Sequence, residues 1–139
     1  MFYADTSIVV AYYCAEEKSS EVEKLIVGSE DIAISMLAEV EFYSALSRKV
    51  RERTVTAKDA RRISSQFELH LNGDYFTILQ LESSHYAIAR NWISNFDNSL
   101  RPLDALHLAI AFSNNIPIAT SDKTLAKSAD MLGVGSIPI

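Results

Sequence analysis

Residues 101–122 of this 139-residue chain read RPLDALHLAIAFSNNIPIATSD. Pro102 suits the first position of a helix, because proline lacks the N–H group that would stay unpaired there. Asp104 then lies in the first turn, where the helix dipole favours a negative charge. The next eight residues contain one polar side chain, that of His107, which is typical of a helix buried within a domain. An acid that begins such a helix is a candidate functional residue.

A short strand is predicted to follow this helix. Pro117 prevents the helix from continuing, and residues 116–119 form an apolar run of the kind found in buried strands. Asp122 comes soon after that run. Because open parallel sheets carry their sites at strand ends, Asp122 joins Asp104 as a candidate.

Length and composition favour one domain over residues 1–139, since 48% of the residues are hydrophobic and can form a substantial core. The single cysteine, Cys14, cannot form an internal disulfide, and no stretch resembles a signal peptide or membrane span. We therefore expect a cytoplasmic protein. A net charge of −5 argues against nucleic-acid binding through overall positive charge, so local patches or metal ions would be required.

The first strand and helix offer another carboxylate. Residues 1–4 form a short apolar run that meets Asp5, and the apolar pattern then continues as a helix that Ser7 could cap. Asp5 could be functional, or it could itself be an ordinary helix N-cap, because aspartate and serine both serve there. The pattern alone leaves both interpretations open.

Residues 31–35 predict a second strand, and residues 36–53 predict a long helix with two acids, Glu39 and Glu41. These acids lie about 200° apart around the helix, so at most one can face a given site. The smaller neighbours of Glu41 favour it slightly as the inward residue. Both could equally be solvent-exposed helix residues.

Residues 48–62 contain seven of the thirteen basic residues and span the end of this helix and the start of the next, which predicts a basic helical hairpin. The hairpin could line a groove that binds phosphates or an acidic partner, or it could be an ordinary solvent-exposed surface. The three histidines, His70, His85 and His107, lack metal-ligand spacing. We expect them to be structural or surface residues and predict no zinc site.

Strands are also predicted at residues 75–81 and 134–137, so strands and helices alternate throughout. This predicts an α/β fold, a three-layer α/β/α sandwich with a mostly parallel sheet of about four to five strands. Parallel strands end at one edge, which can bring together carboxylates distant in sequence. Clustered carboxylates repel, and Mg²⁺ or Mn²⁺ would relieve the repulsion and support phosphodiester hydrolysis.

Four motifs in order carry a family resemblance: Asp5-Thr-Ser, Ser35 followed six residues later by Glu41, RPLDALHLA around Asp104, and TSDKTLA around Asp122. Together they resemble the acidic motifs of PIN-domain ribonucleases, and the length and spacing resemble VapC toxins of type II toxin–antitoxin systems. The resemblance covers essentially the whole chain and favours Glu41 over Glu39.

The resemblance implies a PIN-like fold and a metal-dependent endoribonuclease that uses Mg²⁺ or Mn²⁺. It also implies a homodimer and a cognate antitoxin whose C-terminal segment enters the groove, with RNA as the substrate. The implied catalytic and metal-binding residues are Asp5, Glu41, Asp104 and Asp122, with Ser7 and Thr120 in supporting roles. For the antitoxin contact, the resemblance directs attention to the basic hairpin.

Three alternatives remain open from the sequence. PIN nucleases outside the toxin group process other RNAs with the same acids. A Mg²⁺-binding phospho-acceptor domain would need paired acids beside the first strand and a lysine after the last, which this chain lacks. A catalytically dead binding module is disfavoured by the four acids.

Overall fold

Strands and helices alternate along the chain in a computed structural model that describes residues 1–139. The strands are β1 (Phe2–Ala4), β2 (Ile32–Ser35), β3 (Thr77–Leu79), β4 (Ile118–Thr120) and β5 (Ser136–Pro138). The helices are α1 (Thr6–Tyr13), α2 (Ser19–Val27), α3 (Met36–Arg51), α4 (Ala57–Asn72), α5 (Ser83–Ser94), α6 (Pro102–Ser113) and α7 (Lys123–Met131).

The five strands form one parallel sheet in the order β3-β2-β1-β4-β5. Each connection crosses over through one or more helices, as parallel strands require. The central strand β1 pairs with both neighbours, and Tyr3 lies opposite Ala33 on one side and Ile118 on the other. The predicted α/β fold with a mostly parallel sheet is therefore confirmed.

The two faces of the sheet are covered separately because successive strand side chains point in opposite directions. Phe2 and Ala4 belong to one buried cluster together with residues of α1, α2, α3 and α4. Tyr3 belongs to a second cluster with residues of α6 and α7, and α5 packs on α6. The sheet therefore forms the middle of three layers, with helices on each face. No helix is both long and apolar enough to cross a membrane.

Local details differ from the sequence predictions where a side chain had several possible partners. Asp5, rather than Ser7, caps α1, because its carboxylate accepts the N–H of Ile8. The strand predicted at residues 75–81 shortens to Thr77–Leu79, and the strand predicted at residues 116–119 begins after the proline and includes Thr120. Because β4 extends to Thr120, this residue lies at the carboxyl end of the strand, close to the candidate acids.

Candidate active site

Asp5 directly follows the central strand and is almost completely buried, with 5% of its surface exposed. Its Oδ1 accepts hydrogen bonds from Ser7 Oγ at 2.6 Å and from the Ile8 N–H at 3.1 Å. Burial raises the pKa of Asp5, and hydrogen bonds from Ser7, Thr120 and Ile8 only partly oppose that rise. The charged form is thus held in a place that penalises negative charge, which a nearby cation would relieve.

Ser7 and Thr120, both expected to support the acids, connect the ends of β1 and β4. Ser7 Oγ donates to Asp5 and accepts the Ser121 N–H at 3.0 Å. Thr120 is buried, hydrogen bonds to Asp5, and accepts the Asp122 N–H at 3.0 Å through Oγ1. These hydroxyls join the Asp5 carboxylate to the segment that carries Asp122.

Glu41 projects from α3 towards the N-terminus of α1. Its Oε2 accepts hydrogen bonds from Thr6 Oγ1 and from His107 Nε2, the latter at 2.9 Å. Burial tends to raise the pKa of Glu41, but the hydrogen bonds from His107 and Thr6 outweigh it, so the pKa lies below its usual value. Glu39 makes neither of these side-chain contacts, so Glu41 is the acid of this pair that faces the sheet edge.

His107, expected from the sequence to be structural or at the surface, is buried and contacts the candidate acid Glu41, a contact that the sequence did not predict. It is 2% exposed and bridges Tyr3, through Nδ1, to Glu41, through Nε2. A signal did exist in the sequence. A lone polar side chain in an otherwise apolar buried helix must find a hydrogen-bond partner.

Asp104 and Asp122 form a second part of the site, with Arg101 between them. Arg101 Nε lies 3.1 Å from Asp104 Oδ2, and its terminal nitrogen lies 4.0 Å from Asp122 Oδ2. Asp122 also caps α7, because Oδ1 accepts the N–H groups of Thr124 and Leu125. Both acids line one cavity of about 210 Å³ and keep part of their surface in solvent.

All four candidate acids stand at the carboxyl edge of the sheet, but their side chains bind different partners there, and Asp5 is bound by Ser7 and Ile8. Glu41 is bound by His107, whereas Asp104 and Asp122 are bound by Arg101. No three His, Cys, Asp or Glu side chains are arranged to hold a metal ion together in these conformations. The donor set still suits a hard divalent cation, because it consists of carboxylates.

The basic residues of the predicted hairpin, at positions 48–62, do not form one continuous face. Arg48 and Arg51 line a cavity of about 240 Å³ together with Glu41, since Arg48 is two turns after Glu41 and Arg51 is three residues further, which places them on one side of α3. Lys49 instead pairs with Glu16 at 2.6 Å. Of the basic residues at 48–62, Arg48 and Arg51 are therefore the ones that lie beside Glu41.

The sequence model of the PIN domain matches residues 2–130. No curated relative matches closely enough to add to this comparison. Among solved structures, the fold is similar to that of FitAcB from Neisseria gonorrhoeae, with a TM-score of 0.77 and 17% identity over 99% of this chain and 96% of the other. VapC20 of Mycobacterium tuberculosis, described as a sarcin-ricin loop cleaving toxin, gives a TM-score of 0.73 and 14% identity over 92% and 95% of the two chains.

A third similar structure is VapBC2 from Rickettsia felis bound to a DNA fragment from its promoter, with a TM-score of 0.70 and 16% identity over 100% of this chain and 99% of the other. At these identities the structural matches establish the fold alone. The family match covers most of the chain and includes every candidate acid. The chain belongs to the PIN domain family.

Proposed function

We propose that the protein is a divalent-metal-dependent endoribonuclease that acts as the toxin of a type II toxin–antitoxin pair. The observation that carries this proposal is the placement of four acids at the carboxyl edge of the sheet in a PIN-domain chain. PIN nucleases generally use a divalent metal ion. The similar fold of VapC20, a sarcin-ricin loop cleaving toxin, supports the same assignment.

Asp5, Glu41 and Asp104 are the proposed principal ligands of Mg²⁺ or Mn²⁺, and Asp122 completes the set. When bound, such an ion lowers the pKa of water and neutralises charge that develops on the phosphodiester. The protein positions the carboxylates. Ser7 and Thr120 hold Asp5 by hydrogen bonds, and burial of Asp5 keeps bulk water away from it.

RNA binding requires local positive charge, because the whole chain carries a net charge of −5. Arg48 and Arg51 are exposed and share a cavity with Glu41, so a phosphate bound by them would lie beside the proposed metal ligands. Guanidinium groups suit this role because they bind phosphate oxygens in pairs. These arginines are our proposed contacts for the RNA backbone.

The proposed partner is an antitoxin whose inhibitory segment carries an arginine or lysine. Related folds include a toxin–antitoxin complex from Klebsiella pneumoniae. Arg101 already pairs with Asp104 and Asp122, so a second basic side chain could bind the same carboxylates and exclude the metal ion. Such a partner should bind more weakly to Asp104→Asn. Unchanged affinity would place the partner elsewhere.

A cytoplasmic homodimer is the proposed state of the protein. Met36 and Val40 lie one turn apart on α3 and are both exposed, so association of two copies would remove them from water. Val40→Glu should therefore shift the molar mass measured by light scattering from two chains towards one. An unchanged mass would rule out this face as the interface.

Purified protein should cleave RNA with Mg²⁺ or Mn²⁺ and stop when EDTA is added. Asp104→Asn removes a ligand charge but little volume and should abolish cleavage, whereas Glu39→Gln on the helix of Glu41 should leave it unchanged. Full activity of Asp104→Asn would refute the site. Sequencing the RNA ends produced after brief expression distinguishes a toxin with a defined target from a nuclease that matures RNA precursors.

A further inference from the structure

A buried line of hydrogen-bonded side chains crosses the sheet edge and ends at Glu41. Ser35 Oγ lies 2.7 Å from the Tyr3 hydroxyl, which lies 2.6 Å from His107 Nδ1. His107 Nε2 lies 2.9 Å from Glu41 Oε2. Ser35, Tyr3 and His107 are all buried, and they come from β2, β1 and α6, so three separate elements meet behind one carboxylate.

The chemistry of these groups defines the direction of each hydrogen bond. An ionised carboxylate only accepts, so His107 Nε2 must carry a hydrogen and donate to Glu41. With the ring neutral, Nδ1 is then an acceptor, and the Tyr3 hydroxyl donates to it. Ser35 in turn donates to the Tyr3 oxygen and accepts the Ala38 N–H.

This arrangement uses only one oxygen of the Glu41 carboxylate. Thr6 Oγ1 and His107 Nε2 both donate to Oε2, and neither bond involves Oε1. Two donors on one oxygen restrict rotation of the carboxylate and leave the other oxygen available to a cation. Hydrogen bonds to the remote side of a ligand are known to orient metal ligands in this way.

We propose that Tyr3 and His107 are positioning residues that hold Glu41 through Oε2, so that Oε1 binds the divalent ion. This inference rests on the proposed function, since it assumes that Glu41 is a metal ligand. His107 fixes the orientation of the carboxylate, and Tyr3 holds the His107 ring in place through Nδ1. Neither residue needs to touch the RNA or the ion.

His85 provides a contrast that separates this role from simple burial of a histidine. It is also buried, but its Nδ1 accepts the N–H of Glu82 only three residues away, as part of the capping box of α5. His107 instead joins Tyr3 and Glu41, which are 104 and 66 residues away from it. A histidine needed only for local helix capping would not require these two long-range partners.

The test compares two amide substitutions of the same residue. In His107→Gln the amide nitrogen can approach the position of Nε2 and still donate to Glu41, whereas in His107→Asn it reaches only the position of Nδ1. We expect His107→Asn to weaken Mn²⁺ binding about 10-fold or more, the usual effect of losing such a partner, and His107→Gln to retain most of the affinity. Mn²⁺ binding is measured by electron paramagnetic resonance and calorimetry, with His85→Gln as the control.

A spectroscopic measurement tests the role of Tyr3 without relying on metal binding. Nitrogen-15 NMR of the unsubstituted protein should show His107 in the Nε2–H tautomer. Tyr3→Phe, which keeps the aromatic ring but removes the donor to Nδ1, should keep this tautomer, because Glu41 still accepts from Nε2, but it should shift the Nδ1 resonance and weaken Mn²⁺ binding. An Nδ1–H tautomer in the unsubstituted protein, or an unchanged Nδ1 resonance and unchanged Mn²⁺ binding in Tyr3→Phe, would overturn the assignment.

Failure of this inference is distinguishable from failure of the proposed function. If Glu41→Gln and Asp104→Asn leave Mn²⁺ binding unchanged, the metal site itself is wrong and both proposals fail. If those two variants lose the ion but the Asn and Gln variants of His107 bind it equally well, only the positioning role is refuted. Circular dichroism and thermal unfolding of each variant exclude loss of fold as the cause.

Discussion

Replacing Asp5 by asparagine removes the charge of the most buried candidate ligand while keeping its shape and its cap. Asparagine and aspartate are about equally good N-caps, so the bond from the Ile8 N–H should persist. In EDTA the variant should unfold at a temperature at least as high as the parent, because it no longer buries a charge. Burial raises the pKa of Asp5, so its ionised form destabilises the folded state at neutral pH.

The pH dependence of unfolding shows whether ionised Asp5 destabilises the folded state. Because the pKa of Asp5 is raised in the folded state, that state binds the proton more tightly than the unfolded chain does. The parent should therefore lose stability relative to Asp5→Asn as the pH rises from the usual aspartate value, about 4, through the raised value. Thermal unfolding in EDTA between pH 4 and 8 measures the difference.

Metal addition should reverse the order of the two proteins. A ligand at 100 times its dissociation constant adds about 2.7 kcal/mol, which corresponds to roughly 8–10 °C in the unfolding temperature of a domain of this size. The parent should gain this stabilisation from Mn²⁺ and Asp5→Asn should gain much less. Equal shifts in both proteins would refute Asp5 as a ligand, and a lower stability of Asp5→Asn in EDTA at every pH would show that the hydrogen bonds to the charged carboxylate outweigh the cost of burying it. Asp5→Ala, which loses the cap, should cost about 1 kcal/mol and serves as the reference.

Three further predictions concern other charged groups of the site. Glu41→Gln should destabilise the protein in EDTA near neutral pH, because the pKa of Glu41 is lowered in the folded state. This destabilisation should disappear as the pH falls below the usual glutamate range. Thermal unfolding measured against pH tests this prediction. Reversing the charge at Arg48 and Arg51 together should raise KM for RNA and reduce the salt slope of binding by about 1.4, while kcat at saturating RNA changes little. An unaltered KM and slope would make these arginines an ordinary solvated face. Arg101→Ala should tighten Mn²⁺ binding measured by calorimetry, because the guanidinium no longer competes for Asp104 and Asp122. Weaker binding would mean that Arg101 organises the two acids for the ion.

Hydrophobic periodicity and turn residues were sufficient to predict the architecture. Short apolar runs separated by amphipathic segments allow few arrangements other than a parallel sheet with crossover helices. Pro102 likewise determines where α6 begins, and hence that Asp104 lies in its first turn. These features depend on contacts between residues close in sequence, so the sequence alone determines them.

The tertiary structure decided which polar side chains meet. Glu41 and Glu39 are indistinguishable by periodicity, and only the packing of α3 against α1 and α6 gives Glu41 its partners. His107 looked like an isolated polar residue because Tyr3 is 104 positions away. Arg48 separates from Lys49 because adjacent helix residues point about 100° apart, one to the Glu41 cavity and the other to Glu16. Hydrogen bonds between distant elements depend on the packing of several helices at once, which no local pattern encodes.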